Sequence, residues 1–105
     1  MFRQAARELL ERRGYAVAGE ADSAASALAA AARLAPDAVL ADIRLPDNTG
    51  FELCAALTRA YPQLAVLLAS ADRVTPSPAS VQASGARGFA FKSQLASTDL
   101  TQFWP

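Results

Sequence analysis

Residues 36–50 read PDAVLADIRLPDNTG, and this segment carries the clearest structural pattern in the chain. Four apolar residues, 38–41, come directly before Asp42, and the loop that follows is rich in turn-forming residues. A strand that is apolar on both of its faces is typical of the interior of a parallel sheet. The segment therefore predicts a buried strand that ends at a carboxylate.

Helical and extended patterns alternate along the rest of the chain. Gly14 and Pro36 end two predicted helices, the second of which begins at the N-cap Ser23. Thr49 and Glu52 have the spacing of a capping box at the start of a third helix. The predicted strands are the β-prone run 15–21, the apolar segments 37–43 and 65–69, and the short segment 89–91. A helical second half of residues 73–84 and a short final helix complete the alternation, which predicts a parallel sheet covered on both faces.

Polar residues end three successive predicted strands: Asp42, Ser70 and Lys92. Because ligands bind at the carboxyl ends of the strands in an open parallel sheet, we expect these side chains to converge. A carboxylate can act as the nucleophile toward a phosphoryl group. A lysine can neutralise the charge of that group, and a serine hydroxyl can donate a hydrogen bond to it.

This combination resembles the receiver domains of bacterial response regulators. The segment 36–47, followed by Gly50-Phe51-Glu52, looks like the phosphoacceptor segment of that family. Residues 85–89, GARGF, resemble the approach to the lysine of the family, and residues 14–21 resemble the second strand of its transcriptional members. The similarity extends over almost the whole chain, and its specificity lies in the ordered combination of motifs.

The resemblance implies a flavodoxin-like, doubly wound parallel sheet, with residues 1–105 forming a single receiver domain. It implies that Asp42 accepts a phosphoryl group from a sensor histidine kinase or a phosphotransfer protein, with Mg²⁺ as the cofactor. Lys92 would then bind the phosphoryl group, and Ser70 and Phe89 would be the switch residues that change position. Such a protein is not expected to be an enzyme in its own right, and its output passes through an unidentified downstream protein.

The beginning of the chain departs from the family pattern. Its first residues fit the first helix of a receiver and not the strand that precedes that helix, so the first β-strand is missing. In the family, that strand carries the acidic pair that holds Mg²⁺. Asp42 alone is a weak metal ligand, and neither Asp22 nor Asp47 matches the acidic positions of the family.

The missing strand has a structural consequence as well. Since the first strand is central in the order 2-1-3-4-5, the strands around Val17 and Val39 would face a gap. They pair directly, or a second chain fills the slot and makes a dimer, or the reading frame begins at an internal Met and is truncated. We favour truncation, because a domain of ~100 residues rarely tolerates the loss of a central strand.

Composition excludes several other kinds of site. The ten basic and ten acidic residues balance, and the basic ones are scattered apart from Arg12–Arg13, which argues against DNA binding by this chain. The chain has no histidine and a single cysteine, Cys54, so imidazole sites, thiolate zinc sites and internal disulfides are excluded. No apolar run approaches the ~18 residues of a membrane span. We expect a single-domain, cytoplasmic protein without an output domain after Trp104.

The sequence is also compatible with two alternative functions. The first is a phosphorylation-independent pseudo-receiver that acts as a protein-interaction module through its last helices. The second is a phosphohydrolase with an aspartate nucleophile, but such enzymes place a second aspartate two residues later, where this chain has Arg44. Each site residue also has a simpler interpretation: Asp42 as a loop cap, Ser70 and Lys92 as ordinary strand-end residues, and Phe89 as part of the core.

Overall fold

The computed structural model describes residues 2–71 and 75–105, and the side chains of residues 3–71 and 75–105. From the second helix onward, helices and strands alternate along the described chain. They are α1 (Phe2–Arg12), α2 (Ala24–Leu34), β1 (Ala38–Asp42), α3 (Gly50–Ala60), β2 (Ala65–Ser70), α4 (Pro78–Ala83) and β3 (Gly88–Phe91), followed by 3₁₀ turns at Lys92–Ser97 and Leu100–Gln102. The beginning of the predicted helical region 73–84 and the side chain of Phe2 lie outside the described residues.

The three strands form one parallel sheet in the order β1-β2-β3. Strand β2 is in the middle and is buried along its whole length. Its side chains alternate between the two faces of the sheet, as the pleat of a strand requires. Val66 and Leu68 belong to the core on one face, and Ala65 and Leu67 belong to the core on the other face. The doubly wound arrangement predicted from the sequence is confirmed.

Each face of the sheet is covered by its own hydrophobic core. The α2/α3-side core contains Ala24, Ala31, Ala41, Ile43, Leu53, Cys54, Leu57, Leu64, Val66 and Leu68. The α1-side core contains Ala65, Leu67, Ala90, Leu95, Leu100 and Trp104, with Leu9, Leu10 and Tyr15 packed against it. Cys54 and Trp104 are therefore core residues.

The predicted strand at residues 15–21 is wrong: this segment has no regular secondary structure. Tyr15 is held by an edge-to-face contact with Trp104, with ring centroids 5.2 Å apart, and Glu20 is held by an ion pair with Arg7 of α1. A β-prone sequence becomes a strand only when a neighbouring strand accepts its hydrogen bonds. Strand β1, which pairs with β2 alone, is an edge strand and does not supply that neighbour.

Local capping signals were more reliable. The Ser23 side chain caps α2 in a reciprocal arrangement with Ser26. The capping box predicted at Thr49 and Glu52 is formed in one direction: the Thr49 side chain accepts the backbone N–H of Glu52 at 3.2 Å, whereas the Thr49 N–H donates to the Asn48 side chain at 2.8 Å. Helix α2 ends at Leu34, two residues before Pro36. The predicted final helix is wrong in type, because the described chain has two 3₁₀ turns there. In the described ranges, no helix combines the length and the apolar character that crossing a bilayer requires.

Candidate functional site

The structure brings together the three strand-end residues that the sequence singled out. Asp42 is the last residue of β1, Ser70 is the last residue of β2, and Lys92 directly follows β3. All three line one small cavity of about 70 Å³, together with Ile43, Arg44 and Ala71. The cavity therefore lies at the carboxyl edge of the sheet, where open parallel sheets bind their ligands.

Strand register explains why residues so distant in sequence meet. Asp42 pairs with Ala69 of β2, and Ser70 pairs with Phe91 of β3. Ser70 therefore lies one position beyond the partner of Asp42, and Lys92 lies one position beyond the partner of Ser70. Each of these polar residues is thus displaced by one position along the edge from the one before it. The long, flexible side chain of Lys92 extends back across β2 and reaches Asp42 at the end of β1.

Both carboxylate oxygens of Asp42 accept hydrogen bonds. Lys92 Nζ donates to Oδ2 at 2.5 Å, and the backbone N–H of Arg44 donates to Oδ1 at 3.0 Å. The side chains of Asp42 and Lys92 are each 29% exposed. The pair is therefore accessible to solvent and to a small anion. The two hydrogen bonds fix the orientation of the carboxylate while it remains partly exposed.

Gly50 shapes the loop behind the carboxylate. A Cβ atom at this position would lie 2.2 Å from the carbonyl oxygen of Asp42, well inside the van der Waals limit. The backbone N–H of Gly50 donates to the carbonyl oxygen of Ile43 at 2.7 Å. Helix α3 thus begins directly against the end of β1, and only glycine permits that approach.

The two predicted switch residues occupy different environments. Ser70 is 1% exposed, and its hydroxyl donates to the carbonyl oxygen of Ala71 at 3.1 Å. Phe89 is half-buried against the α2/α3-side core, and its ring meets that of Phe91 edge-to-face at 5.6 Å. Ser70 lines the cavity. Phe89 pairs with Leu68 of β2 and is not among the described residues that line the cavity.

The described residues at the cavity do not by themselves fit a Mg²⁺ site. Within the described ranges, no three Asp, Glu, Cys or His side chains are grouped to hold a metal ion. Among the described residues that line the cavity, Asp42 contributes the one carboxylate, and Lys92 already binds it. Mg²⁺ requires carboxylate anchors in a nearly octahedral arrangement, and a single carboxylate beside an ammonium group is a poor anchor.

The two other aspartates considered from the sequence have structural roles. Asp47 accepts hydrogen bonds from the backbone N–H groups of Ala24 at 2.8 Å and Ala25 at 3.1 Å. These bonds stabilise the charged carboxylate and hold the pKa of Asp47 below its ordinary value. Asp22 accepts a hydrogen bond from the Ser26 hydroxyl at 3.2 Å. Sequence reasoning missed the capping role of Asp47, because its partners lie more than 20 positions earlier in the chain.

Known proteins share this fold and this sequence pattern. The family model described as "Response regulator receiver domain" matches residues 1–103. The signal receiver domain of the response regulator NarL from Mycobacterium tuberculosis superposes with a TM-score of 0.75 at 36% identity, over 91% of this chain and 78% of that one. A LuxR-family two-component response regulator from Aurantimonas sp. SI85-9A1 gives a TM-score of 0.81 at 31% identity, over 95% of this chain and 71% of that one.

The three-layer arrangement of a parallel sheet between helices is that of the flavodoxin-like fold. The chain belongs to the response-regulator receiver family. The response regulator GacA from Pseudomonas viridiflava is 34% identical over 86 residues, which are 82% of this chain and 40% of that protein. The chain therefore spans less than half the length of the curated relatives it matches.

Proposed function

We propose that the chain is a phosphoacceptor in a two-component phosphorelay and that Asp42 takes the phosphoryl group. Receiver domains of response regulators interact with histidine kinases or phosphotransfer proteins, which supply that group. The observation that carries the proposal is the meeting of Asp42, Ser70 and Lys92 at one cavity from the ends of three strands. The proposed location of the protein is the cytoplasm, where such donors act.

The proposed step is a transfer between two nucleophiles. A carboxylate oxygen of Asp42 attacks the phosphorus of a phosphohistidine, an O–P bond forms, and the N–P bond of the donor breaks. The electron pair of that bond stays on the imidazole nitrogen, which takes a proton from solvent. Lys92 lies beside the carboxylate and can shift its ammonium group onto the phosphoryl oxygens as their charge arrives.

Ser70 and Phe89 have the proposed switch roles. The Ser70 hydroxyl lies at the cavity and can exchange the carbonyl oxygen of Ala71 for a phosphoryl oxygen as its acceptor. A charged oxygen is the stronger acceptor, so the new hydrogen bond favours the phosphorylated arrangement. Phe89, two residues along β3 from Phe91, would follow this change by repacking against the α2/α3-side core.

Receivers of this family generally bind Mg²⁺ for phosphorylation. The described residues of this chain supply one carboxylate at the cavity, so no step is assigned to the metal. This same observation favours a second candidate, a pseudo-receiver that binds a partner protein without being phosphorylated. In that candidate, the ion pair between Asp42 and Lys92 is a permanent structural contact.

Intact-mass spectrometry after incubation with phosphoramidate, a small phosphodonor, tests the proposal. We expect the mass of one phosphoryl group to be added to the chain, and to be absent from an Asp42→Asn variant. Asp37→Asn is the matched control, because Asp37 precedes the same strand and lies outside the cavity. A folded chain that stays unmodified, or a modification that persists in Asp42→Asn, would contradict the proposal. Parallel samples with Mg²⁺ and with EDTA show whether the metal contributes.

A further inference from the structure

The carboxylate of Asp47 joins the loop after β1 to the first turn of α2. One oxygen accepts the N–H of Ala24 and the other accepts the N–H of Ala25. The first N–H groups of a helix have no partner within the helix and need an external acceptor. Asp47 supplies that acceptor for two of them from a loop that follows α2 in the chain.

The cap residue of α2 does not duplicate these bonds. The Ser23 hydroxyl accepts the N–H of Ser26 at 3.1 Å, and the Ser26 hydroxyl accepts the N–H of Ser23 at 3.1 Å. The two N–H groups that Asp47 binds lie between these positions. The N-terminus of α2 therefore has one local cap, from Ser23, and one cap from Asp47 in the loop after β1.

The loop from Asp42 to Thr49, which contains Asp47, is short and internally hydrogen-bonded. Near its start, the N–H of Arg44 donates to the Asp42 carboxylate at 3.0 Å. Its tip is closed by the Leu45 N–H, which donates to the carbonyl oxygen of Asn48 at 3.1 Å, and a bridge pairs Arg44 with Thr49. These bonds connect the Asp42 carboxylate to the segment that carries Asp47.

We propose that Asp47 is a positioning residue that couples the state of the Asp42 carboxylate to the N-terminus of α2. When Asp42 loses its negative charge or carries a phosphoryl group, the N–H of Arg44 loses its charged acceptor. The loop then shifts, and the bonds from Ala24 and Ala25 to Asp47 change with it. The N-terminus of α2 thereby changes with the charge of Asp42, as the residues at the cavity do.

The link between this coupling and phosphorylation rests on the proposed function of Asp42, but the test of the coupling needs no phosphoryl group. Amide ¹H–¹⁵N NMR spectra of the labelled chain are compared for the parent protein and Asp42→Asn, which keeps the shape of the side chain and removes its charge. We expect the amide resonances of Ala24 and Ala25 to shift. In an Asp47→Ala background the same substitution should leave those two resonances unchanged.

Two other aspartates provide matched controls. Asp99 accepts the N–H of Thr101 at 3.1 Å in the last 3₁₀ turn, far along the chain from the loop, and Asp22 accepts the Ser26 hydroxyl beside α2. The response of Ala24 and Ala25 to Asp42→Asn should survive in Asp99→Ala and in Asp22→Ala. A loss of the response in these controls would mean that any weakening of a cap abolishes it, and would overturn a specific role for Asp47.

A second variant covers the case in which Asp47→Ala does not fold. Asp47→Asn keeps one amide oxygen as an acceptor, so we expect a reduced response and hydrogen exchange at Ala24 and Ala25 that is roughly fivefold faster. An equal response to Asp42→Asn in the Asp47→Asn background, or no response in the folded parent, would overturn the coupling. Failure of phosphoramidate labelling, by contrast, would leave this result intact and count only against the proposed function.

Discussion

Lys92 Nζ lies 2.5 Å from Oδ2 of Asp42, although the two residues are 50 positions apart in the chain. The contact spans the whole sheet, since Asp42 ends β1 and Lys92 follows β3, with β2 between them. This carboxylate is the nucleophile of the proposed function, and it already has a cation beside it. The relationship defines the site, and its disruption should separate the chemical role of the lysine from its structural role.

Substitution of Lys92 by Ala should slow phosphoryl uptake strongly and change stability little. Because both side chains are 29% exposed, the pair should contribute less than about 1 kcal/mol to the free energy of unfolding. The loss of a cation that stabilises phosphoryl charge should slow labelling by roughly 100-fold or more. Phosphoramidate labelling followed by mass spectrometry, with urea unfolding beside it, measures both effects. A large loss of stability with normal labelling would show that the lysine is purely structural.

Substitution of Gly50 by Ala should destabilise the chain by about 2 kcal/mol or more, because the new Cβ meets the backbone of Asp42 at 2.2 Å. Gly14→Ala is the matched control. Gly14 has a φ of +90° and no atom within 4 Å of the position that a Cβ would take, so alanine there meets backbone strain alone and should cost about 1 kcal/mol. Urea midpoints of the two variants check this order. A smaller loss for Gly50→Ala would mean that β1 and α3 separate easily.

The Asp47 carboxylate should make stability fall in acid. Its pKa lies below its ordinary value because the Ala24 and Ala25 N–H groups bind the charged form. This contribution is fully present above the unfolded-state pKa of about 3.9 and is lost as the pH falls through the lower folded-state pKa. The same direction applies to Asp99, whose pKa is lowered chiefly by the Thr101 hydroxyl. Thermal melts between neutral and acid pH should show a weaker acid dependence in Asp47→Asn than in the parent.

Replacement of Trp104 by Phe should be close to neutral. Among the described residues, Trp104 Nε1 is the buried side-chain nitrogen or oxygen that lacks a hydrogen-bond partner, while the ring packs against Tyr15. Phenylalanine removes the unsatisfied donor and keeps most of the contact, so we expect a change within about 1 kcal/mol. Trp104→Ala should cost about 3–5 kcal/mol through the cavity it leaves. A large loss in Trp104→Phe, measured by chemical denaturation, would indicate a partner for the indole N–H in solution.

Local patterns were sufficient for much of the fold. Strand β1 and its terminal Asp42 followed from a continuous apolar run, and the strand at 65–69 followed in the same way. The cap at Ser23 depended on neighbours within three positions, which a sequence displays directly. The polar strand ends predicted the cavity, because parallel strands place their carboxyl ends at one edge.

The sequence by itself therefore determined the three strands that form the sheet, their polar edge and the family, since these depend on short-range periodicity and on the order of motifs. Only the tertiary structure decided which residues outside that edge had partners. Asp47 became an acceptor for α2, and residues 15–21 remained without a strand, because both outcomes depend on groups more than a few positions away. Hydrogen bonding between distant segments is a property of the packed chain, and no local preference encodes it.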